Sequence, residues 1–119
     1  MALVVQDSVS IAANTRNNDV LSGFRNALID PQIGGAIVAI YFTASATGLV
    51  AESFVGQRNA VERSQCSLQN RFPLVPDDLV AGNIASLPNE RITMPVENVT
   101  GGALTFFFRI EIEELPRRR

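Results

Sequence analysis

Several residue types with chemical roles are missing from this chain, which has no histidine, lysine or tryptophan, one cysteine and one tyrosine. Without histidine no Ser–His or Cys–His pair can form, and no imidazole can act as a base or bind a metal ion. A single cysteine, Cys66, excludes an intrachain disulfide and a zinc site built from several thiolates. We therefore expect a protein that is not an enzyme and that uses no cofactor.

Charge is also scarce, because charged residues make up 18% of the chain and hydrophobic residues 46%. A typical globular domain has about 25% charged residues. The chain is too apolar to be disordered, and it has less charged surface than a solitary monomer usually carries. A well-filled small domain and a domain buried against a partner explain this composition equally well.

All ten basic residues are arginine. Genomic base composition is the simpler cause, although arginine also suits interfaces because its planar fork pairs with carboxylates and is weakly hydrated. The net charge is −2 and the chain has no basic half, so we expect no nucleic-acid-binding domain. Arg117, Arg118 and Arg119 form a short basic tail, where we favour disorder over weak contact with an acidic partner or with nucleic acid.

Long hydrophobic runs are absent as well. None approaches the roughly 20 residues that a membrane-spanning helix requires. The first residues lack the basic region of a secretion signal. We expect a protein that is made in a cytoplasm and has no membrane partner.

The chain does contain a regular alternation near its C-terminus. Apolar side chains occupy every second position and charged side chains lie between them, with Phe107 as the exception. The apolar set is Leu104, Phe106, Phe108, Ile110 and Ile112, and the charged set is Arg109, Glu111 and Glu113. This pattern predicts a strand with one face in a core and the other in solvent.

Shorter runs of the same kind divide the rest of the chain. The strands that we predict are 3–13, with a bend or bulge at Asp7, and 36–44, 49–56, 79–87 and 91–99. Residues 36–44 are apolar on both faces, so this strand is central or has a covered outer face, for example against another subunit. Pro95 places strand 91–99 at a sheet edge, or with its nitrogen away from the neighbouring strand.

Two segments stay open between alternatives. Residues 20–29 fit helical spacing, but Gly23 and the short length favour irregular structure or a short strand. The pair Gly101-Gly102 has two interpretations. It either closes a hairpin through a three-residue loop, with Val96 opposite Phe106, or carries the chain from one sheet to the other.

Short strands separated by Gly, Pro and Asn turns at roughly ten-residue intervals predict the fold class. We expect an all-β, single-domain antiparallel β-sandwich, similar to a jelly roll, with about eight short strands. The domain covers residues 1–115, and residues 116–119 form the basic C-terminal tail.

Carboxylates and the thiol are the remaining reactive groups. Asp77 and Asp78 could join a calcium site, but the spacing of calcium loops is missing, so a solvated turn is favoured. Glu111 and Glu113 share one face of a predicted strand, an arrangement that would suit the carboxylate pair of a glycoside hydrolase. We interpret them as solvated charges or partners of arginine, and Cys66 as a passive thiol, because only a cationic neighbour would activate it.

Three parts of the chain, together with the absence of a secretion signal and of a catalytic set, are similar to features of a known class of proteins. They are the rhythm of apolar runs and turns in 36–56, the proline-containing arm at 70–76 and the closing segment 96–104. On these features the chain resembles small sandwich-type virion proteins of bacterial viruses, in the capsid decoration, cement or head-accessory class. The resemblance implies symmetric assembly, often trimeric, with other virion proteins on a capsid or within its shell.

Two functions follow as hypotheses. The first is a non-enzymatic structural protein of a virion that acts by oligomeric packing. Its candidate contact residues are Phe72, Leu74, Val75 and Phe107, together with the three C-terminal arginines. Restricted backbone freedom in the arm lowers the ordering cost of binding, although local packing explains the arm equally well and Phe107 better.

The second hypothesis is a carbohydrate- or ligand-binding β-sandwich module. Binding of sugars commonly requires exposed aromatic rings that stack on them. The chain has no tryptophan, and Tyr41 lies inside an apolar run. We therefore rank this hypothesis second.

Overall fold

A computed structural model describes residues 2–68, 71–75 and 78–116 of the chain. Over these residues the chain forms ten strands and one 3₁₀ turn, Arg25–Ala27, and no α-helix. The strands are β1 Ala2–Ile11, β2 Arg16–Asn17, β3 Ala36–Ala44, β4 Leu49–Val55, β5 Arg58–Gln65, β6 Ser67–Leu68, β7 Leu79–Ser86, β8 Ile92–Thr93, β9 Val96–Asn98 and β10 Leu104–Glu114.

The strands form two sheets that pack on one core. Sheet A has the order β1-β10-β3, with β6 and β7 both on the far side of β3. Sheet B has the order β2-β9-β4-β5, with β8 also paired to β4. The described pairings are antiparallel apart from the two-residue contact of β3 with β6.

The pairing is nested along the chain, as in a jelly roll. The first strand pairs with the last, β2 with β9, β3 with β7 and β4 with β5. This order wraps the two halves of the chain around each other into two sheets. The predicted all-β antiparallel sandwich is therefore confirmed. Ten strands are described, against about eight predicted. The predicted strand 91–99 is divided into β8 and β9, and no strand was predicted where β2, β5 and β6 lie.

The predicted alternation in β10 is confirmed by burial. Its apolar positions from Phe106 to Ile112 are at most 1% exposed, and the positions between them point to the outer face of sheet A. From sheet B, Ile92, Met94 and Val96 close the core from the other side with no exposed surface. Each such large side chain stabilises the fold by about 1.5–3 kcal/mol through removal of apolar surface from water.

The first strand is present as predicted, but of the bend or bulge predicted at Asp7 the bulge is absent. Its register with β10 is continuous from Ala2 opposite Glu113 to Ile11 opposite Leu104. Asp7 occupies the inward-facing row, opposite Phe108, yet it is exposed. Because β1 is an edge strand, the carboxylate can turn toward solvent, where it accepts the N–H of Ser8 at 2.8 Å.

The glycine pair before β10 carries the chain from one sheet to the other, as one of the two alternatives predicted. β9 belongs to sheet B and β10 to sheet A, so the hairpin alternative is wrong. The crossing is fixed by the buried Asn98, whose side-chain amide donates to the carbonyls of Ile11 (3.0 Å) and Gly102 (2.8 Å). Its oxygen accepts the backbone N–H of Thr100 at 2.9 Å.

The prediction of an edge strand around Pro95 holds for one of the two pieces on either side of it. Both β8 and β9 pair with β4, but β8 has no second partner strand among the described residues, whereas β9 also pairs with β2. The proline, which has no N–H to donate, sits at the break between the two pieces. Its carbonyl accepts the N–H of Glu52 at 3.1 Å, so the interruption removes few sheet bonds.

Residues 20–29 are irregular, with the 3₁₀ turn at their centre. Leu21, Ala27 and Ile29 are buried and reach into the core. Asp19 holds the segment in place, because one of its carboxylate oxygens accepts the N–H groups of both Leu21 and Met94 at 3.0 Å.

Candidate functional site

Cys66 carries the one thiol of the chain. The Cys66 side chain is 5% exposed, and burial raises the pKa of its thiol to about 12. A thiol of this kind stays protonated at neutral pH and is a poor nucleophile. Among the described residues, no three carboxylates or thiols lie close enough together to hold a metal ion.

Asp78 is engaged within its own loop. Its carboxylate accepts the N–H of Leu74 at 2.8 Å and pairs with the Arg71 guanidinium at 3.1 Å. The N–H of Asp78 in turn donates to the Leu74 carbonyl at 2.9 Å. The side chain is 8% exposed, so it acts as a clamp across the loop. Asp77, its predicted companion, lies outside the described residues.

This clamp shapes the segment 71–75, which we call the arm. The arm lies between β6 and β7 and covers part of the outer face of sheet A. The hydroxyl of Thr43 on β3 donates to the Arg71 carbonyl. The ring of Phe72 packs against that of Phe107 on β10, with centroids 5.2 Å apart and planes at 71°. The predicted cover over the outer face of 36–44 is thus supplied, at Thr43, by the chain itself.

Large apolar side chains in the arm and at the start of β7 are exposed to solvent, and we call this set the apolar ridge. Its members are between 37% and 49% exposed: Phe72, Leu74, Val75, Leu79 and Val80. Single exposed apolar residues are ordinary on protein surfaces, whereas a group of them marks an interaction surface or an aggregation hazard. Because the Asp78 clamp fixes the backbone of the arm, the exposed side chains of the arm have defined positions.

The residues predicted to make contacts therefore have different positions. Phe72, Leu74 and Val75 lie in the apolar ridge. Phe107 lies partly buried beneath Phe72, so local packing accounts for it. Arg117, Arg118 and Arg119 lie outside the described residues. Sequence reasoning missed Leu79 and Val80, although their place directly after the arm was a usable signal.

The middle of the same face is polar and internally paired. Arg109 donates to Glu111 at 2.8 Å and to Gln6 at 3.1 Å. The hydroxyl of Tyr41 donates to Glu111 at 3.2 Å, and its side chain is 4% exposed. Desolvation, followed by the Glu111 carboxylate, raises the pKa of Tyr41 above its ordinary value. Tyr41 is therefore not free to stack on a sugar ring, and Glu111 is a partner of arginine, as predicted.

A groove of about 330 Å³ opens at the far end of this face. It crosses sheet A from β1 to β7, and we call it the outer groove. Its lining is apolar at Val4, Ile37, Ala39 and Ile112 and polar at Asn83, Glu111 and Glu113. Four strands that are distant in sequence build it, so it could not be predicted before the strand order was known.

A second depression, of about 510 Å³ and more polar, lies beside β2. Its polar groups are largely used by the loop that forms it. The Asn17 side chain accepts the N–H of Asp19 at 3.1 Å, and the Asn18 side chain accepts from Arg16 at 3.1 Å. No aromatic residue lines the depression.

No model of a known protein family matches the chain, and no curated protein matches its sequence. The class that can be stated is an antiparallel β-sandwich that carries an exposed apolar ridge on a clamped arm.

Across the described part of the chain, no helix has the length and apolar character needed to cross a membrane.

Proposed function

We propose that this protein is a non-enzymatic structural component of a virion, of the capsid decoration, cement or small capsid class, and that it acts by oligomeric packing. The observation that carries the proposal is the apolar ridge, held out on an arm that the fold clamps. Jelly rolls occur in viral capsid proteins and also in lectins. The fold alone is therefore an analogy and supports the proposal only together with the ridge.

The arm meets the physical requirements of a binding element. Clamping by Asp78 and the fixed backbone angle of Pro73 reduce the conformational freedom that would be lost on binding. Phe72 supplies an aromatic anchor, and aromatic residues are enriched where binding energy concentrates. The partners are other copies of the chain, with a trimer favoured by the resemblance, and other virion proteins.

The test is sedimentation velocity at micromolar concentration on the wild type and on a variant that carries Leu74→Asp and Val75→Asp. We expect the wild type to assemble and the variant to lose about 100-fold or more in affinity, because two carboxylates enter the apolar contact. A matched control is Val99→Asp, since Val99 is 53% exposed but lies outside the ridge. A monomeric wild type that binds no copurifying protein would contradict the proposal.

A carbohydrate- or ligand-binding module is the second candidate, and the polar depression beside β2 is the observation that favours it. The absence of tryptophan and the buried Tyr41 speak against it. A glycan array separates the two functions. Hits that disappear in an Asn18→Ala variant would support sugar binding, and an array without hits removes this candidate.

A further inference from the structure

We propose that the carboxylate of Asp7 blocks the open edge of β1, and that two copies of the chain would pair through their first strands if this charge were removed. The inference goes beyond the proposed function and does not depend on it. In sheet A, β1 forms one edge, whereas the arm lies between β6 and β7, which are both on the far side of β3.

The other edges of the two sheets are poorly suited to pairing with a further chain. Among the strands that the structure describes, β2, β6 and β8 are two residues long. β5 and β7 have register shifts against their neighbours, and Asn83 within β7 has a positive φ of 54°. Short and bulged strands are common means of preventing edge-to-edge pairing. β1 has neither feature, because its ten residues pair with β10 in continuous register.

The direction of the backbone shows which groups of β1 face the open edge. The N–H of Thr105 on β10 donates to the Ser45 hydroxyl at 2.9 Å, and its carbonyl accepts the Ser45 N–H at 3.0 Å. Ser45 directly follows β3, so the odd-numbered residues of β10 point toward β3 and the even-numbered ones toward β1. Their partners are the odd-numbered residues of β1. The N–H and C=O groups of Val4, Gln6 and Ser8 therefore point to the open edge.

Asp7 places its carboxylate at this edge. It belongs to the inward row, opposite Phe108, but it is exposed, whereas Val5 and Ile11 of the same row are buried. Its Oδ1 accepts the N–H of Ser8 at 2.8 Å, and this N–H is one of the donors that a further strand would need. A pairing strand would have to displace the carboxylate and bury its charge, which is costly without a partner. Inward-pointing charges protect edge strands in this way.

The strand that fits this edge once the charge is gone is a second copy of β1. Asp7 is the one charged residue within 2–11, so a second β1 brings no basic group that would neutralise the carboxylate. The same composition means that two uncharged first strands would not repel each other. Their apolar residues at every second position are typical of strands. Antiparallel pairing of the two edges would join both copies of sheet A into one continuous sheet.

The experiment compares Asp7→Val with two control variants by sedimentation velocity. Asp7→Val completes the apolar row, and we expect it to self-associate at concentrations about tenfold or more below those that the wild type requires. Ser8→Val adds the same side chain to the same strand but keeps Asp7, so it should behave like the wild type. Asp7→Lys replaces one charge with another and should also keep the edge unpaired.

Hydrogen exchange then locates the contact. The amides of Val4 and Gln6 at the open edge should exchange rapidly in the wild type and in both controls, and they should become protected in Asp7→Val at micromolar concentration. Assembly through the apolar ridge would leave these amides unpaired, so this measurement is independent of the proposed function. If Asp7→Val lowers the melting temperature, Asp7→Thr takes its place, with the same protection expected.

Three results would each overturn the inference. They are edge amides that exchange in the uncharged variant as they do in the wild type, equal protection in Ser8→Val, and equal protection in Asp7→Lys. A wild type that is monomeric and binds no partner contradicts the proposed function, whereas protection confined to the uncharged variant would still support the block by Asp7.

Discussion

Asn98 shows how much a single polar side chain can organise in this molecule. It has no exposed surface, and it ties β1, the crossing to sheet A and the Thr100 turn together through three backbone groups. A buried amide of this kind is stabilising only while its partners are present, because unpaired polar groups in a core are costly.

We expect Asn98→Leu to destabilise the fold by about 2–3 kcal/mol, since it leaves the carbonyls of Ile11 and Gly102 without their donor. Urea unfolding measures the change. The control is Asn59→Leu on the exposed part of β5, which should change stability by less than about 0.5 kcal/mol. Equal effects of the two substitutions would contradict the role assigned to Asn98.

Glu90 is a second single residue that stabilises the fold, in this case through its charge. Its carboxylate accepts the N–H of Leu87 at 2.7 Å and pairs with Arg58 at 2.8 Å. The Leu87 hydrogen bond and then the nearby Arg58 charge lower the pKa of Glu90, against an opposing effect of desolvation. A carboxyl whose pKa is lower in the folded state than in the unfolded state stabilises the fold at a pH above the unfolded-state pKa. This stabilisation is lost as the pH falls through the folded-state pKa.

We therefore expect Glu90→Gln to cost about 1 kcal/mol at neutral pH, because glutamine keeps an acceptor but loses the charge. The difference from the wild type should begin to shrink as the pH falls below the ordinary glutamate pKa of about 4.3, and it should disappear once the pH has fallen through the lowered folded-state pKa and the wild-type carboxyl is also protonated. Urea unfolding across this pH range measures it, with Glu62→Gln on exposed β5 as the control. A difference that persists unchanged in acid would argue against a contribution from charge.

Among the elements, the arm is held in place by local contacts that are separate from the core of the sandwich. The Asp78 clamp holds it through two hydrogen bonds with Leu74 and an ion pair with Arg71. The arm also rests on sheet A through the Thr43 hydrogen bond to the Arg71 carbonyl and the packing of Phe72 on Phe107. Because the arm is a local element, we expect it to open without unfolding of the sandwich.

We expect Asp78→Ala to raise the rate of trypsin cleavage after Arg71 by about tenfold, because the loss of clamp bonds raises the open population. The melting temperature of the sandwich should stay close to that of the wild type, and assembly should weaken. Glu62→Ala is the control. If cleavage is unchanged, the clamp is not what orders the arm.

Strands could be predicted where one face is buried, because apolar residues then occupy every second position in the sequence. Strands without this alternation were predicted poorly. β10 follows from its alternation, whereas β5 was missed because it is a polar edge strand with Val61 as its buried anchor. Asp7 was taken for a bulge because a charge interrupted an apolar row, and only the position of β1 at an edge explains how it is tolerated. The prolines marked the arm at 70–76, but the Asp78 clamp depends on a loop geometry that the residue types do not specify.

At the scale of the whole molecule, the strand order decides what the surface offers. The sandwich class follows from turn spacing, but the outer groove depends on β1, β3, β7 and β10 lying side by side. One face of sheet A thus carries a clamped apolar arm at one end, paired charges in the middle and a groove at the other.

The native mass of the wild type over a micromolar concentration series tests whether the molecule works by assembly, as we propose. We expect a discrete oligomer, a trimer first of all, that dissociates on dilution and is absent when Leu74 and Val75 are replaced by aspartate. A particle with the mass of one chain at every concentration, with no partner bound, would contradict it.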